Sequence, residues 1–262
     1  MDAEFEQFMN YALQCDLLSF IPVCEPPEEL QEFYYGMVAN ANDDFVKLAW
    51  STRKQSLCSE WHKLRKIRMS STKAHPVKTR KRNFHSLAYQ LVNNKFRGNA
   101  DTDYGISMES EGREKYAQVS KNRIIEVGLV VCPKLPWLCA SPDGIIVTKG
   151  PDGNDHYKLL EVKSPSSRKG SELIDRQEGK SWLPYLEIKD GSVQLKQNHP
   201  YFTQVQVSML VTNVKECDLV IHSSVDLVIC KGKFDSYYQI TLLGTNGLLM
   251  KITLQCREMT SF

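Results

Sequence analysis

Two apolar runs that carry charges in strand-like surroundings constrain this chain most. The first is Trp137-Leu138-Cys139-Ala140, then Ser141-Pro142-Asp143-Gly144, then Ile145-Ile146-Val147. The second is Tyr157-Lys158-Leu159-Leu160-Glu161-Val162-Lys163. Residues two apart on a strand face the same side. Glu161 and Lys163 therefore share a face, and Val162 points into the core. A hairpin-like return, with Pro151-Asp152-Gly153-Asn154 as a turn, places Asp143 beside Glu161. Charges next to core strands are seldom left without partners. Two carboxylates with an adjacent lysine make a hard-cation site with a water-orienting group beside it, which is the equipment for metal-assisted phosphodiester hydrolysis. A Glu-x-Lys pair alone is common on surface strands, where it is a solvated ion pair; the apolar setting gives this one its weight.

The chain has 262 residues, 42% of them hydrophobic, which suits one large domain or a domain with a helical appendage. No apolar run approaches a membrane span. The start carries Asp2, Glu4 and Glu6 rather than the basic residues of a signal peptide, so an intracellular protein of cytoplasm or nucleus is expected, with no membrane partner. Its eight cysteines are scattered without a C-x-x-C pair, and reduced, mostly buried thiols are expected.

Helices are predicted over 3–20, ended by Pro22, Pro26 and Pro27, and over Glu28 to about Asn40. Asp43 or Asp44 caps a third that runs through Trp61 to Arg68. Phe84–Asn93, Ile106–Gln118 and Tyr201–Val211 also read as helices. Ile124–Val131, Asp143–Val147, Tyr157–Lys163, Leu219–His222 and Leu227–Cys230 read as strands, with a short one at Gln194–Lys196. Ser171–Glu178 and Leu248–Arg257 carry helical patterns.

Charge is unevenly placed. Residues 1–48 hold ten acids and one base, Lys47, whereas residues 61–100 hold eleven Lys/Arg and no acid. Such a block is a solvated face or a polyanion contact. The run Lys78-Thr79-Arg80-Lys81-Arg82 also fits a nuclear-import signal, but DNA contact explains the same charges.

Six pieces in order resemble the PD-(D/E)XK nuclease superfamily, in the branch of phage lambda exonuclease and YqaJ-type viral recombinases. They are Trp61-x-x-x-Arg65-x-x-Arg68 ending at Ser70-Ser71-Thr72; Gly105 through Glu109 to Tyr116; Ser141-Pro142-Asp143-Gly144; Glu161-Val162-Lys163-Ser164-Pro165; Tyr201-Phe202-Thr203-Gln204-Val205-Gln206; and Cys217-Asp218-Leu219-Val220-Ile221. The resemblance covers roughly residues 54–232. It implies an α/β fold with a restriction-endonuclease-like core, a central mixed β-sheet flanked by helices. Residues 54–262 would be the nuclease domain and 1–53 an acidic N-terminal helical extension packed on it.

The resemblance also implies roles. Asp143, Glu161 and the carbonyl of Val162 would hold one or two Mg²⁺ ions, with Mn²⁺ as a substitute, as oxygen-only ligands prefer. Lys163 would orient or deprotonate the attacking water, or stabilise the phosphate. Glu109 would hold waters around the cation; the plain alternative is a surface carboxylate paired with Arg113. Gln204 and Tyr201, one helical turn apart, would brace the site. Arg65 and Thr72 resemble a pocket for a terminal 5′-phosphate, with Ser70 and Ser71 as rival hydroxyl donors. Arg68, Lys78, Arg80, Lys81 and Arg82 would contact DNA more generally.

The activity implied is a Mg²⁺-dependent 5′→3′ exonuclease on double-stranded DNA ends, in recombination or in viral or mobile-element DNA processing. A single-strand annealing protein would be its partner, and it would be a monomer or a homotrimer. Rival readings share these residues: a site- or structure-specific endonuclease, a nuclease acting on RNA, and an inactive DNA-binding or interaction protein. The complete set of site residues argues against the last.

Overall fold

The hairpin expected from the two charged runs forms. Gly144–Lys149 and Asp155–Lys163 pair antiparallel, with Gly144 opposite Leu160 and Lys149 opposite Asp155. Gly150 N–H closes the turn on the Asn154 carbonyl at 2.9 Å, and Gly153 takes a φ of 78°, which side chains disfavour. In this computed structural model, which describes residues 1–19, 25–39, 44–93 and 98–243, the hairpin lies within a five-stranded sheet. The strand order is Leu227–Lys233, Glu216–His222, Asp155–Lys163, Gly144–Lys149, Arg123–Ile125. Glu216–His222 runs parallel to Asp155–Lys163; the other neighbours are antiparallel. Parallel neighbours need a long crossover, and this one contains the helix Pro200–Thr212.

Each face of the sheet receives one helix. Pro200–Thr212 is buried from Thr203 to Thr212, as a helix apolar on most of its circumference must be. His199 starts it by accepting the Tyr201 N–H at 3.2 Å. The helix Ala100–Ser120 covers the other face, where Tyr116 packs with Ile146, Leu160, Val162 and Val220. Gly112 permits this approach: a Cβ there would sit 2.6 Å from Val162 Cγ1. Alternation along the strand thus sends Leu160 and Val162 toward one helix and Glu161 toward the other.

A three-stranded sheet joins Met69–Ser70, Leu135–Ala140 and Val130–Cys132, with Ser70 opposite Cys139. That register brings Ser70 and Thr72 beside the strand leading into Asp143. The N-terminal helix Ala3–Ala12 buries Phe5, Phe8 and Met9 in the same core as Trp137, Ile145 and Leu159. The architecture is α/β, a central mixed sheet flanked by helices with further helices from the N-terminal segment.

Several elements depart from expectation, each for a tertiary reason. The first helix stops at Ala12, and Cys15 turns the chain with a φ of 53°. The segment from Glu28 is a 3-10 turn, one helical turn at Gln31–Phe33 and a π-turn at Tyr34–Ala39 rather than a regular helix. Asp44 caps a helix, accepting the Lys47 N–H at 2.9 Å, but that helix ends at Ser51 and a separate one, Ser59–Lys66, carries Trp61 and Arg65. Gln55 takes a φ of 42° in the break, and its amide donates to the Val127 and Pro142 carbonyls at 3.2 and 2.9 Å. Those two bonds reward the interruption.

The run Ile124–Val131 divides between the two sheets, because Gly128 crosses against Ala49 and Thr52. Ser171–Glu178 is not helical: Asp175 accepts the Gln177 and Glu178 N–H groups and turns the chain between short strands Ile174–Asp175 and Lys180–Ser181. The strand expected at Gln194–Lys196 is Ser192–Leu195. Asp43, Pro22 and the pattern at 248–257 lie outside the described residues. Among the described residues, no helix is long and apolar enough to cross a membrane. The six described cysteines are free thiols, five of them buried.

Candidate active site

The turn before the hairpin is held from three sides. Trp61 Nε1 donates to Ser141 Oγ at 2.8 Å, Gln55 donates to the Pro142 carbonyl, and Arg113 Nη1 donates to the Asp143 carbonyl at 2.9 Å. Asp143, 9% exposed, turns its carboxylate across the hairpin, where Oδ2 accepts the Val162 N–H at 2.6 Å. A short charge-assisted bond from a rigid strand fixes one carboxylate oxygen.

Glu161 is deeper, at 1% exposure. Its Oε2 accepts from Gln204 Nε2 at 2.7 Å and from Lys163 Nζ at 3.2 Å, and its Oε1 accepts from Ser208 Oγ at 3.4 Å. The Lys163 ammonium also lies 3.2 Å from the Val162 carbonyl oxygen and 3.9 Å from Asp143 Oδ2. One cation therefore faces all three oxygens expected to hold a metal ion.

Charge strains this cluster. Burial pushes Glu161 up to about 7; Lys163 pulls it down, while Asp143 and Glu109 add to the rise. Burial likewise pushes Glu109 up to about 7, helped by Asp143 and opposed by Arg113. Burial disfavours the Lys163 ammonium, but Glu161 and Asp143 outweigh it and raise its pKa. Asp143 and Glu161 share one half-buried lysine and the charge of Glu109 adds to theirs, an arrangement that suits an added divalent cation. Among the described residues no three His, Cys, Asp or Glu side chains converge as a ligand set, so the fit rests on two carboxylates and a main-chain carbonyl. An all-oxygen set of this kind suits Mg²⁺ or Mn²⁺.

Asp143, Lys163, Gln204, Tyr201 and Glu109 open onto a cavity of about 920 Å³. Its wall also carries Arg65 and Thr72. Arg65 Nη2 donates to Thr72 Oγ1 at 2.6 Å and reaches Ser70 Oγ at 3.5 Å, and its guanidinium lies 4.4 Å from the Trp61 ring centroid. Among the described residues no carboxylate pairs with Arg65. A second cavity, of about 910 Å³, lies near Ser192–Leu195 and Leu227–Lys233 and holds none of this cluster.

The model of the YqaJ-like viral recombinase domain matches residues 60–215, well over half of the chain. The chain belongs to the YqaJ-like viral recombinase domain family. The solved structures agree in fold. LHK-Exo in complex with dAMP superposes with a TM-score of 0.57 at 19% identity, over 78% of this chain and 97% of its own. A second structure of LHK-Exo, an alkaline exonuclease from Laribacter hongkongensis, gives 0.55 at 18% identity over the same shares. A SOX–DNA complex gives 0.53 at 12% identity, over 97% of this chain and 85% of that one. The fold of this YqaJ-like domain is that of the PD-(D/E)XK nucleases. No curated protein matches the chain in sequence.

Within the YqaJ-like domain, the structure gathers Asp143, Lys163, Glu109, Gln204, Tyr201, Arg65 and Thr72 around one cavity, with Glu161 buried behind Lys163 and Gln204. Tyr201 faces the lysine, with its ring centroid 5.4 Å from Nζ. Glu109 lies 4.0 Å from Arg113 Nη2, and Arg113 Nη1 lies 3.3 Å from Glu126. Glu109 lines the cavity and also makes the Arg113 pair expected of a plain surface carboxylate.

The structure removes Arg68 from the expected DNA contacts. It is 1% exposed and donates to the carbonyls of Pro136, Leu64 and Val38 at 2.9, 3.2 and 2.9 Å. Ser71 is buried away from the cavity, and Ser70 meets it only through Arg65 and Thr72, the latter 3.1 Å away. Lys78 stacks on Tyr238, 3.3 Å from the ring centroid, and Arg80 donates to the Asn83 carbonyl. Lys81 and Arg82 are exposed, and none of these four lines the cavity.

Sequence reasoning missed Ser208, Gln55 and the hold of Arg113 on Asp143. Ser208 was findable: it lies four residues after Gln204 and so on the same helical face. The others join distant segments and leave no local pattern.

Proposed function

We propose that this chain is a divalent-cation-dependent deoxyribonuclease, a 5′→3′ exonuclease acting on duplex ends, whose 3′ strands serve recombination by annealing. The carrying observation is the convergence of Asp143 Oδ2, Glu161 Oε2 and the Val162 carbonyl on the Lys163 ammonium at the edge of an open cavity. A divalent cation bound by those oxygens would supply Lewis-acid neutralisation of the scissile phosphate and a water of lowered pKa.

The chain's own residues do the rest. Gln204 and Ser208 fix Glu161, and the Val162 N–H and Arg113 fix Asp143, so the acids need no reorganisation when substrate arrives. Lys163, once its hold on Glu161 is relaxed, presents its donors to the attacking water and the phosphate oxygens. Tyr201 and Gln204 bound its swing. On the same cavity, Arg65 is a forked donor with no carboxylate partner among the described residues, aligned by Thr72 and the Trp61 ring. Such a group suits a terminal phosphate, and this favours end digestion over internal cutting. An alkaline exonuclease and a dAMP complex among the structural relatives support the same substrate class.

The test compares a linear duplex with the same duplex as a covalently closed circle, with Mg²⁺ and with chelator. Mononucleotide release from the linear form alone, only with the metal, is expected. Efficient nicking of circles would favour the endonuclease.

A further inference from the structure

Beyond the acids, two adjacent cations beside the cavity, one of them on its wall, stack on aromatic rings. The strand bearing Glu161 and Lys163 leads into the turn Ser166–Arg168, and Ser166, Ser167 and Lys169 line the cavity. Lys169 Nζ lies 4.5 Å from the Tyr104 ring centroid, and Arg168 Cζ lies 4.9 Å from that of Trp182. Trp182 follows the small hairpin of Ile174–Asp175 and Lys180–Ser181; its N–H donates to the Leu173 carbonyl at 3.2 Å, and the next residue, Leu183, is buried. The indole itself is 50% exposed on this anchored backbone. Among the described residues, neither Arg168 nor Lys169 pairs with a carboxylate.

A lone exposed tryptophan needs no explanation. This one stacks with an arginine that lacks an acidic partner among the described residues, next to a segment that lines the candidate active site. We propose that Trp182, Arg168 and Lys169 form a binding site for unpaired nucleotides of a nucleic acid whose duplex end enters the cavity. The proposal rests on the cavity being a nucleic-acid site. Inside a duplex both faces of a base are covered by its neighbours and only the last pair has an open face, whereas every unpaired base can offer a face to the indole. Its flanking phosphates would meet Arg168 and Lys169, and the arginine keeps its cation–π contact beneath.

The experiment uses the full chain carrying Asp143→Asn, so that binding is read without cleavage. Two labelled probes are compared by anisotropy: a blunt duplex, and the same duplex with an oligothymidylate tail. The Asp143→Asn chain should bind the tailed probe more tightly. Adding Trp182→Ala should weaken tailed binding about fivefold to a hundredfold and leave blunt binding unchanged. Trp182→Phe should retain much of the preference, and Arg168→Gln should flatten the salt dependence for the tailed probe alone by about one unit. Equal binding of both probes, or a Trp182→Ala variant that keeps the tail preference, overturns the proposal. Cleavage by the unmodified chain is scored separately. A tail preference without cleavage leaves this site standing and removes the nuclease, whereas cleavage without a tail preference does the reverse.

Discussion

Gln204 Nε2 and Glu161 Oε2 are 2.7 Å apart, so the buried helix Pro200–Thr212 is tied to the central sheet through the deepest carboxylate of the site. Packing and chemistry are coupled at that bond. Removing the amide leaves Glu161 with Lys163 and Ser208 as its hydrogen-bond donors. Gln204→Leu should therefore cost about 1–3 kcal/mol of stability, because a buried acceptor loses its shortest neutral donor. It should also lower kcat more than it raises KM, since the proposed role of the acid is to hold the cation that neutralises the scissile phosphate. Ser208→Ala, which removes a longer bond, should do less. Urea denaturation and steady-state kinetics check both; a Gln204→Leu variant with parental stability and kcat would mean the bond is incidental.

The three oxygens around the Lys163 ammonium predict a binding signature independent of turnover. A Mg²⁺ ion held by them would bind the folded chain and not the unfolded one, so it should raise Tm in a concentration-dependent way. Glu161→Gln and Asp143→Asn should remove that shift and abolish cleavage while preserving the fold. Calorimetry with Mg²⁺ against chelator measures it. A Tm shift that survives in Glu161→Gln would place the cation elsewhere.

Arg65 and Arg68 differ by one helical turn in sequence and by role in the structure. Arg68 donates to three backbone carbonyls at 1% exposure, whereas Arg65 faces the cavity. Arg68→Met should cost more than about 2 kcal/mol, because buried carbonyls lose their donors. Arg65→Ala should cost less stability and more DNA affinity. Paired denaturation and binding curves separate the two, and a fully stable Arg68→Met would overturn the assignment.

Much of the active cluster was legible because it is local. Asp143, Glu161 and Lys163 follow from strand alternation and one hairpin; helical spacing puts Gln204 and Tyr201 on one face, and the family resemblance is what assigns that face to the site. What escaped depends on contacts between distant segments. Nothing around Arg68 in sequence shows that Pro136 and Val38 will cover it, so it read as one more cation in a basic block. The break between Ser51 and Ser59 is rewarded by Gln55 reaching Val127 and Pro142, and no window centred there contains those partners. Likewise the run Ile124–Val131 has strand propensity throughout, yet the crossing at Gly128 assigns its two ends to different sheets.

Arg65 carries the prediction that separates end digestion from internal cutting. A terminal phosphate has close to two negative charges, and an internal diester has one. A partly buried guanidinium without a carboxylate partner among the described residues, aligned by Thr72 at 2.6 Å and stacked on Trp61, would discriminate between them through charge-assisted bonds worth about 1.5–3 kcal/mol, or roughly tenfold to a hundredfold. The unmodified chain should release nucleotides faster from a 5′-phosphorylated end than from a 5′-hydroxyl end by that factor. Arg65→Ala should abolish the preference. Arg65→Lys should restore charge without the fork and recover only part of it. Thr72→Val should weaken it modestly, because Ser70 Oγ lies 3.5 Å from the same guanidinium nitrogen and offers a second anchor. Matched linear duplexes differing only at the 5′ end, followed over time, measure all four; equal rates on both ends for the unmodified chain would remove Arg65 from substrate recognition and shift the balance to the endonuclease.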